Sequence, residues 1–541
     1  MKFWVNSQHG IKDVFGELVV VPVFNGDFQG ASPCDSSSFV ECDSIMDGGI
    51  MRLARNEAFD GGKGSMLRYF ADEAIAASQV MLLGLGDKDA VSRDVLQDAL
   101  AKMFKKVSAL KLSEVTVDMR PLLHDSKFDA YALGEQLGYL ATFLDHTVLH
   151  YKTKKGGHEG DHAISTLRAL VPDVAHKGFR EGMYAGRDIA RGVNLARDLV
   201  ETPAGDLTPT GMVAAAKKVI AASDGKISGN FFYPDKLKKM GAGALLGVAQ
   251  GSKEPAVLIE LDYTPSTGPT EEVLCLIGKT VTFDSGGLDL KPAAGMLTMK
   301  RDMSGGAAVL GAIQAIADLE LPISVKVIMA ATENKTGSNA YRPGDVLRSM
   351  SGLTIEIGNT DAEGRLTLAD AIEFARRRKV SAIVDFATLT GAVVSIGGDV
   401  AAACFGNNDR FTSRVKNIAE CHGEPMIHIP MSPELKELND SDIADIKNTG
   451  GRLAGSTTAA WFLRAFAGEE TPWVHVDIAG TAYRDRAIGI CPKGASGYGV
   501  RTAVALAAEY AQDRSLAKYS LLAGRRYPLG IGSVIFRSRL W

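Results

Sequence analysis

Eight consecutive residues, Asn359-Thr360-Asp361-Ala362-Glu363-Gly364-Arg365-Leu366, place two carboxylates and a guanidinium at i, i+2 and i+4. In an extended or tightly turning backbone this spacing aims the three side chains the same way. Two crowded carboxylates repel each other, and a proton, a cation or a metal between them is what normally makes the arrangement tolerable. Gly364 supplies backbone freedom at the crowding point. Taken alone, the octapeptide is equally well a helix entry. Residues 366–375 continue with helical spacing, and acidic side chains suit a first helical turn through the macrodipole.

A second acidic stretch lies upstream: Gly278-Lys279-Thr280-Val281-Thr282-Phe283-Asp284-Ser285-Gly286-Gly287-Leu288-Asp289-Leu290-Lys291-Pro292, followed by Met299-Lys300-Arg301-Asp302-Met303. Gly278-Lys279-Thr280 ends like a nucleotide phosphate loop, but the glycine required five residues earlier is Val273. Asp284-Ser285-Gly286 is like one arm of an aspartic-protease dyad, and no second arm matches it. The third reading joins the two stretches. Asp284, Asp302, Asp361 and Glu363 then form a set of four carboxylates with Lys279 beside them. Such a set needs about two divalent cations to neutralise it, the condition for a two-metal site with ions about 3.5–4 Å apart. A deprotonated lysine amine can complete one ion's shell. Lys291 and Arg365 remain as uncoordinated cations, suited to a developing oxyanion or a small anion. The competing picture, surface ion pairs on loops, explains glycine-flanked charges at several strand ends poorly.

The elements that must position these residues follow from periodicity. In the first part of the chain, residues 18–24, 80–86 and 115–119 read as strands and 92–111 and 128–147 as helices. A polar, lysine-rich stretch at 151–161 reads as a linker, and 178–200 as a long connecting helix. From 201 onward, strands at 273–278, 325–331, 354–358, 382–387 and 473–478 alternate with helices at 304–319, 366–378, 454–467 and 499–512. That alternation predicts an α/β protein whose second domain has a central, mostly parallel sheet flanked by helices. Lys279, Glu333, Asp361, Thr388 and Gly480 all fall at or just beyond the C-terminal ends of these strands, the edge at which open α/β sheets bind ligands. The expected organisation is an N-terminal α/β domain over 1–165, a linker and connecting helix over 166–200, a catalytic domain over 201–512, and a basic extension over 513–541. Residues 514–541 carry six basic and no acidic residues and receive no role.

Composition narrows the function classes. The chain has 541 residues, 46% hydrophobic and 23% charged, with a net charge of −4. This charge gives no support to nucleic acid or an anionic membrane as main partner. No signal-peptide pattern and no membrane-length apolar run is seen, and six scattered cysteines without CxxC pairs read as reduced thiols. Cytoplasm is the compartment expected. All ten histidines lie at 9–176 or 422–475, outside the span of the acidic motifs. Together with the lack of a GxSxG elbow, this argues against a Ser-His-Asp hydrolase centred there.

The acidic stretches resemble those of the leucyl aminopeptidase (cytosol aminopeptidase, peptidase family M17) family of dinuclear metallo-exopeptidases. NTDAEGRL is the hallmark, and GK-x3-FDSGG-x3-KP, MKRDM-SGGAA and DFATLTG also match. The resemblance runs from about residue 190 to about 510 and includes Ile443-Ala444-Asp445-Ile446-Lys447-Asn448 and His475-Val476-Asp477-Ile478-Ala479-Gly480. It implies a macro-like N-terminal domain, a homohexamer, peptide substrates with leucine or another bulky apolar residue first, and two Mn²⁺ or Zn²⁺ ions per subunit. It further implies that Asp284 and Glu363 bridge the ions, that Asp302 and Lys279 complete the more exchangeable site, and that Asp361 completes the tighter one. Lys291 would polarise the scissile carbonyl, and Arg365 would hold a bicarbonate acting as general base. Met299, Thr388 and Ala479 match positions lining the pocket for the first side chain, and Leu389 and Gly391 match those contacting substrate backbone. Thr280 and Lys335-Thr336 depart from the family pattern without touching a ligand. Two alternatives stand beside this activity: a dipeptidase, for instance of Cys-Gly, and an added DNA-binding role.

Overall fold

The structure, a computed structural model, describes residues 1–7, 10–28, 37–124, 128–148, 151 and 164–512. Cys34, residues 152–161 of the expected linker and the 513–541 extension lie outside the described residues. The described chain divides into two compact units, with the break after Ala190 inside the helix His176–Glu201. No helix among the described residues is long and apolar enough to cross a membrane.

In the first unit the apolar runs become the strands Gly16–Val23, Ala77–Gly84 and Glu114–Asp118, and the periodic segments become the helices Arg93–Ala109 and Ala130–Leu144. Both helices start on side-chain caps: Ser92 accepts from the Val95 amide and Asp129 from the Ala132 amide. The six-stranded sheet runs Lys2–Asn6, Thr166–Leu170, Glu114–Asp118, Gly16–Val23, Ala77–Gly84, Met66–Phe70. Only its last pair is antiparallel. Thr166–Leu170 lies inside this sheet, so the first unit extends past residue 165.

The second unit is built on an eight-stranded mixed sheet. Its middle is parallel: Trp473–Asp477, Ala382–Ala387, Val273–Asp284 and Ser324–Asn334 lie side by side. Antiparallel pairs follow toward both flanks, through Val257–Tyr263 and Ile227–Phe232 on one side and through Ala402–Gly406 on the other. Met426–His428 closes that second edge. The expected strand near 354–358 is Thr354–Glu356, and it leaves the main sheet to pair with Val346–Arg348 and Ile446–Lys447.

Helices cover the sheet. Ser304–Asp318 is rich in Ala, Gly and aliphatic residues and is buried almost all round, as a helix without a polar face must be. A Cβ on Gly305 would lie 1.9 Å from the Phe386 carbonyl oxygen, so glycine lets the first turn rest directly on the neighbouring strand. Gly364–Arg377 packs on the opposite face through Leu366, Ala369, Ile372 and Phe374. Arg376 and Arg377 close its last turn, where cations complement the dipole.

Candidate metal centre

Val273–Asp284 is twelve residues long, so Lys279 projects from within the strand and not from beyond its end as the sequence suggested. Its side chain runs under the first turn of the Gly364–Arg377 helix, where a Cβ on Gly364 would lie 2.6 Å from Nζ. Gly364 is therefore needed for space. Its φ is not positive, which corrects the expectation of backbone freedom there. The left-handed positions are Gly286 and Gly287, with φ of 89° and 67°, in the turn between Asp284 and Lys291.

Six of the expected residues meet through their charges. Lys279 Nζ lies 2.8 Å from Asp302 Oδ2 and 2.8 Å from Glu363 Oε1, and it donates to the Thr388 carbonyl at 2.9 Å. Lys291 Nζ lies 2.9 Å from Asp284 Oδ2 and 2.5 Å from Asp361 Oδ1. Carboxylate oxygens of Asp284, Asp361 and Glu363 come within 4.8 Å of one another. Asp284, Asp302 and Glu363 are almost fully buried.

This donor set fits divalent metal. Asp302 Oδ2, Asp361 Oδ1 and Glu363 Oε1 are buried and meet only a lysine ammonium, at 2.8, 2.5 and 2.8 Å. Four carboxylates against two ammonium groups leave an excess of hard oxygen donors, the set that suits divalent cations. The electrostatics agree. Burial, reinforced by the Glu363 charge, pushes Asp284 up to about 6. Burial also holds Asp302 and Asp361 above the usual carboxylate range. Glu363 goes the other way: burial opposes its charge, but Lys279 and Lys291 together outweigh burial. Burial likewise opposes the Lys279 ammonium, and Asp302, Glu363 and Asp284 together hold its pKa above the ordinary lysine value. A divalent cation among the same oxygens would reverse that balance, because it would take over the carboxylates and repel the ammonium.

Arg365 behaves differently from its neighbours in sequence. It makes no ion pair with Asp361 or Glu363 among the described residues; Nη1 donates to the Asn448 carbonyl at 2.7 Å, and Nε is buried without a partner. Burial lowers its pKa to about 10. Of the expected substrate contacts, Thr388 is tied into the cluster itself, its Oγ1 donating to Asp302 Oδ1 at 2.8 Å. Leu389 and Ala479 donate their amides to one oxygen of buried Asp477, at 3.1 and 3.2 Å. Met299 is half-buried on a short 3-10 helix next to Asp302, and Gly391 is exposed at the start of another.

Several residues that position the site received no role from the sequence. Asn448 is fully buried and holds the acidic loop through the Gly358 and Asn359 amides and the Asn359 carbonyl. Thr360 Oγ1 donates to the Gly286 carbonyl and accepts from the Asp289 amide. Asn334 and Tyr341 both donate to the Thr360 carbonyl. His475, remote in sequence from the acidic motifs, is buried against Asp385 at 2.6 Å and near enough to feel the Arg365 charge. Burial opposes its protonation, and Asp385 outweighs burial.

Comparison with known proteins gives a consistent result. Residues 194–504 match the model of the cytosol aminopeptidase family catalytic domain, and residues 20–155 match that of the family's N-terminal domain. A probable cytosol aminopeptidase of Alkaliphilus oremlandii is 38% identical over 493 residues, covering 91% of this chain and 96% of the relative. One from Solibacter usitatus is 42% identical over 439 residues, 81% and 88% of the two chains. Among solved structures, a mutant of tomato leucine aminopeptidase superposes with a TM-score of 0.78 at 29% identity, covering 93% of this chain and 95% of its own. The bottromycin maturation enzyme BotP in complex with Mn superposes with a TM-score of 0.74 at 28% identity, covering 92% and 100%.

Proposed function

The chain belongs to the cytosol aminopeptidase family, hydrolases that act in a metal-dependent way on the N-terminal residues of peptides, and from that premise we propose how its own residues do so. Lys279, Asp284, Asp302, Asp361 and Glu363 hold two divalent cations, Mn²⁺ or Zn²⁺. The observation that carries this assignment is the buried cluster of four carboxylates against two lysines, three of whose oxygens meet nothing but an ammonium group. When bound, the ions supply Lewis acidity toward the scissile carbonyl and a water acidified toward neutral pH.

The remaining roles fall to protein groups. Lys291, at the edge of the cluster with 17% of its side chain exposed, donates to the carbonyl oxygen as negative charge develops there. Arg365 has a buried N–H to spare and binds a small anion, bicarbonate, that accepts the proton of the attacking water. The free α-amine of the substrate would coordinate one of the ions, which confines cleavage to chain ends. Leu389 and Gly391 contact the peptide backbone, and Met299, Thr388 and Ala479 line the pocket for leucine and other bulky apolar first residues. Family membership also supports a homohexamer working in the cytoplasm; light scattering on the purified protein tests the assembly.

The decisive experiment is a substrate panel combined with metal analysis. Protein stripped by a chelator should lose hydrolysis of leucyl anilides, regain it with Mn²⁺ or Zn²⁺, and bind two ions per subunit. Bulky apolar first residues should be preferred over Cys-Gly. Undiminished activity after stripping would sink the metal mechanism, and a preference for Cys-Gly would turn the reading toward a dipeptidase.

A further inference from the structure

Besides the direct bonds of Thr360 to Gly286 and Asp289, the two carboxylate-bearing loops are joined from a third strand by a side chain that the ligand set does not include. The ladder between Ser324–Asn334 and Val273–Asp284 is regular up to Thr332 opposite Val281; then Glu333 faces Phe283 and Asn334 faces Asp284. One extra residue, Thr282, has entered the strand at this point. An unbroken register would set Asn334 opposite Phe283, and a slip of one residue turns side chains to the other face. The bulge therefore brings Asn334 beside Asp284, a use of bulges common next to functional sites.

Asn334 is completely buried. Its Nδ2 donates to Asp284 Oδ1 at 2.8 Å and to the Thr360 carbonyl at 3.0 Å. That carbonyl belongs to the peptide plane whose nitrogen is that of Asp361, so one amide group grips both halves of the acidic cluster. The chemistry fixes the amide orientation, because both neighbours are acceptors. Asp284 Oδ1 also accepts from the Gly286 amide at 2.8 Å, which occupies that oxygen and leaves Oδ2 facing the cluster. The main-chain oxygen of Asn334 receives the amide and the hydroxyl of Ser285, both at 2.9 Å. Against these bonds, Asn334 Oδ1 is buried with no partner, a cost that an apolar residue of similar size would avoid.

We infer that Asn334 is a positioning residue: it holds the Asp284 and Asp361 loops at one spacing, selects Oδ2 of Asp284 for coordination, and thereby sets the metal affinity of the site. The inference rests on the metal-centre reading above. Tyr341 provides an internal control, since its hydroxyl donates to the same Thr360 carbonyl at 2.7 Å and not to Asp284.

The test titrates stripped wild-type protein, Asn334→Ala, Asn334→Ser and Tyr341→Phe with Mn²⁺ against a chelating indicator, with circular dichroism to establish folding. Both Asn334 variants should bind Mn²⁺ about 10- to 100-fold more weakly, the usual effect of removing a group that orients a ligand. Tyr341→Phe should lose only about threefold or less, since Asp284 keeps its partner. Serine keeps a small polar group in the buried site, so it serves if the alanine variant does not fold. Folded Asn334 variants with wild-type affinity, or a Tyr341→Phe loss equal to theirs, would overturn the inference. Failure of the wild-type protein to bind Mn²⁺ at all would instead remove the metal-centre reading, a distinct result.

Discussion

A charge cluster lies near each end of the strand Ser324–Asn334, one half-buried and one buried, and the two are built on opposite principles. Near its start, Lys326 Nζ contacts Glu260 at 2.7 Å and also Asp262, while Arg378 grips Glu260 through two nitrogens at 2.7 and 3.2 Å. Two acids meet two bases, and none of their buried atoms lacks a partner among the described residues. Burial opposes the Glu260 charge, but Arg378 and Lys326 outweigh it and lower its pKa. Near the strand's end, four carboxylates contact two lysines. A balanced cluster needs no ligand, whereas one with twice as many acids as bases is incomplete as protein alone. Burial of charge does not by itself distinguish a site from a structural ion pair; the surplus of one sign does.

The largest expected break in this contrast is Glu363→Ala. It should cut turnover of a leucyl anilide by about a thousandfold or more, the upper range for losing one preorganised electrostatic group, and lower the ions bound per subunit. Kinetics and elemental analysis on the same preparation read both. A variant with full metal content whose KM alone rises would show that Glu363 does not bridge the ions.

Next in size is Lys326→Met. Glu260 keeps Arg378 and Asp262 is partly exposed, so losing the Lys326 contacts should cost about 1.5–3 kcal/mol, read by denaturant unfolding. Mn²⁺ affinity and leucyl anilide turnover should stay at wild-type levels. A fall in metal affinity as large as that of Glu363→Ala would mean that the two clusters are energetically one.

The acidic side of this contrast was legible in the sequence and the Lys326 side was not, and the unread part has physical causes. The acidic motifs and the helices Ser304–Asp318, Gly364–Arg377 and Gly455–Ala467 were located to within a few residues because periodicity is a local signal. Strand direction is not local: Ile227–Phe232 and Val257–Tyr263 pair antiparallel at a flank, and nothing in their own residues says so. The length of Val273–Asp284 was underestimated because Lys279, Thr280 and Thr282 interrupt its apolar run, although the fold buries all three. Asn334, Asn448 and Asp477 were given no role because a single polar residue acquires one only from the loops folded around it. The surplus of acid over base was visible from the start. Which oxygens remain open was not, since that depends on where Lys279, Lys291 and Arg365 reach.

The smallest and most discriminating effect is in the pH dependence of the metal-free protein, where the clusters should act with opposite sign. Asp284 is lifted from 3.8 to about 6, so the folded state holds its proton more tightly than the unfolded chain does. That contribution is complete below pH 3.8 and fades as pH rises toward about 6; at 1.36 kcal/mol per pH unit it is roughly 3 kcal/mol at most. Glu260 is lowered from 4.5, so its contribution is complete above that pH and is lost on acidification. Urea midpoints of stripped protein between about pH 4 and 7 should therefore fall less steeply with rising pH in Asp284→Asn, while Glu260→Gln should lose stability mainly at the neutral end. Adding Mn²⁺ should invert the Asp284 trend, because metal requires the ionised carboxylate and binds more weakly as pH falls. If Asp284→Asn left the slope of the stripped protein between pH 4 and 6 unchanged, the surplus of carboxylate would not be what strains the empty cluster, and the contrast with Glu260 would lose its electrostatic basis.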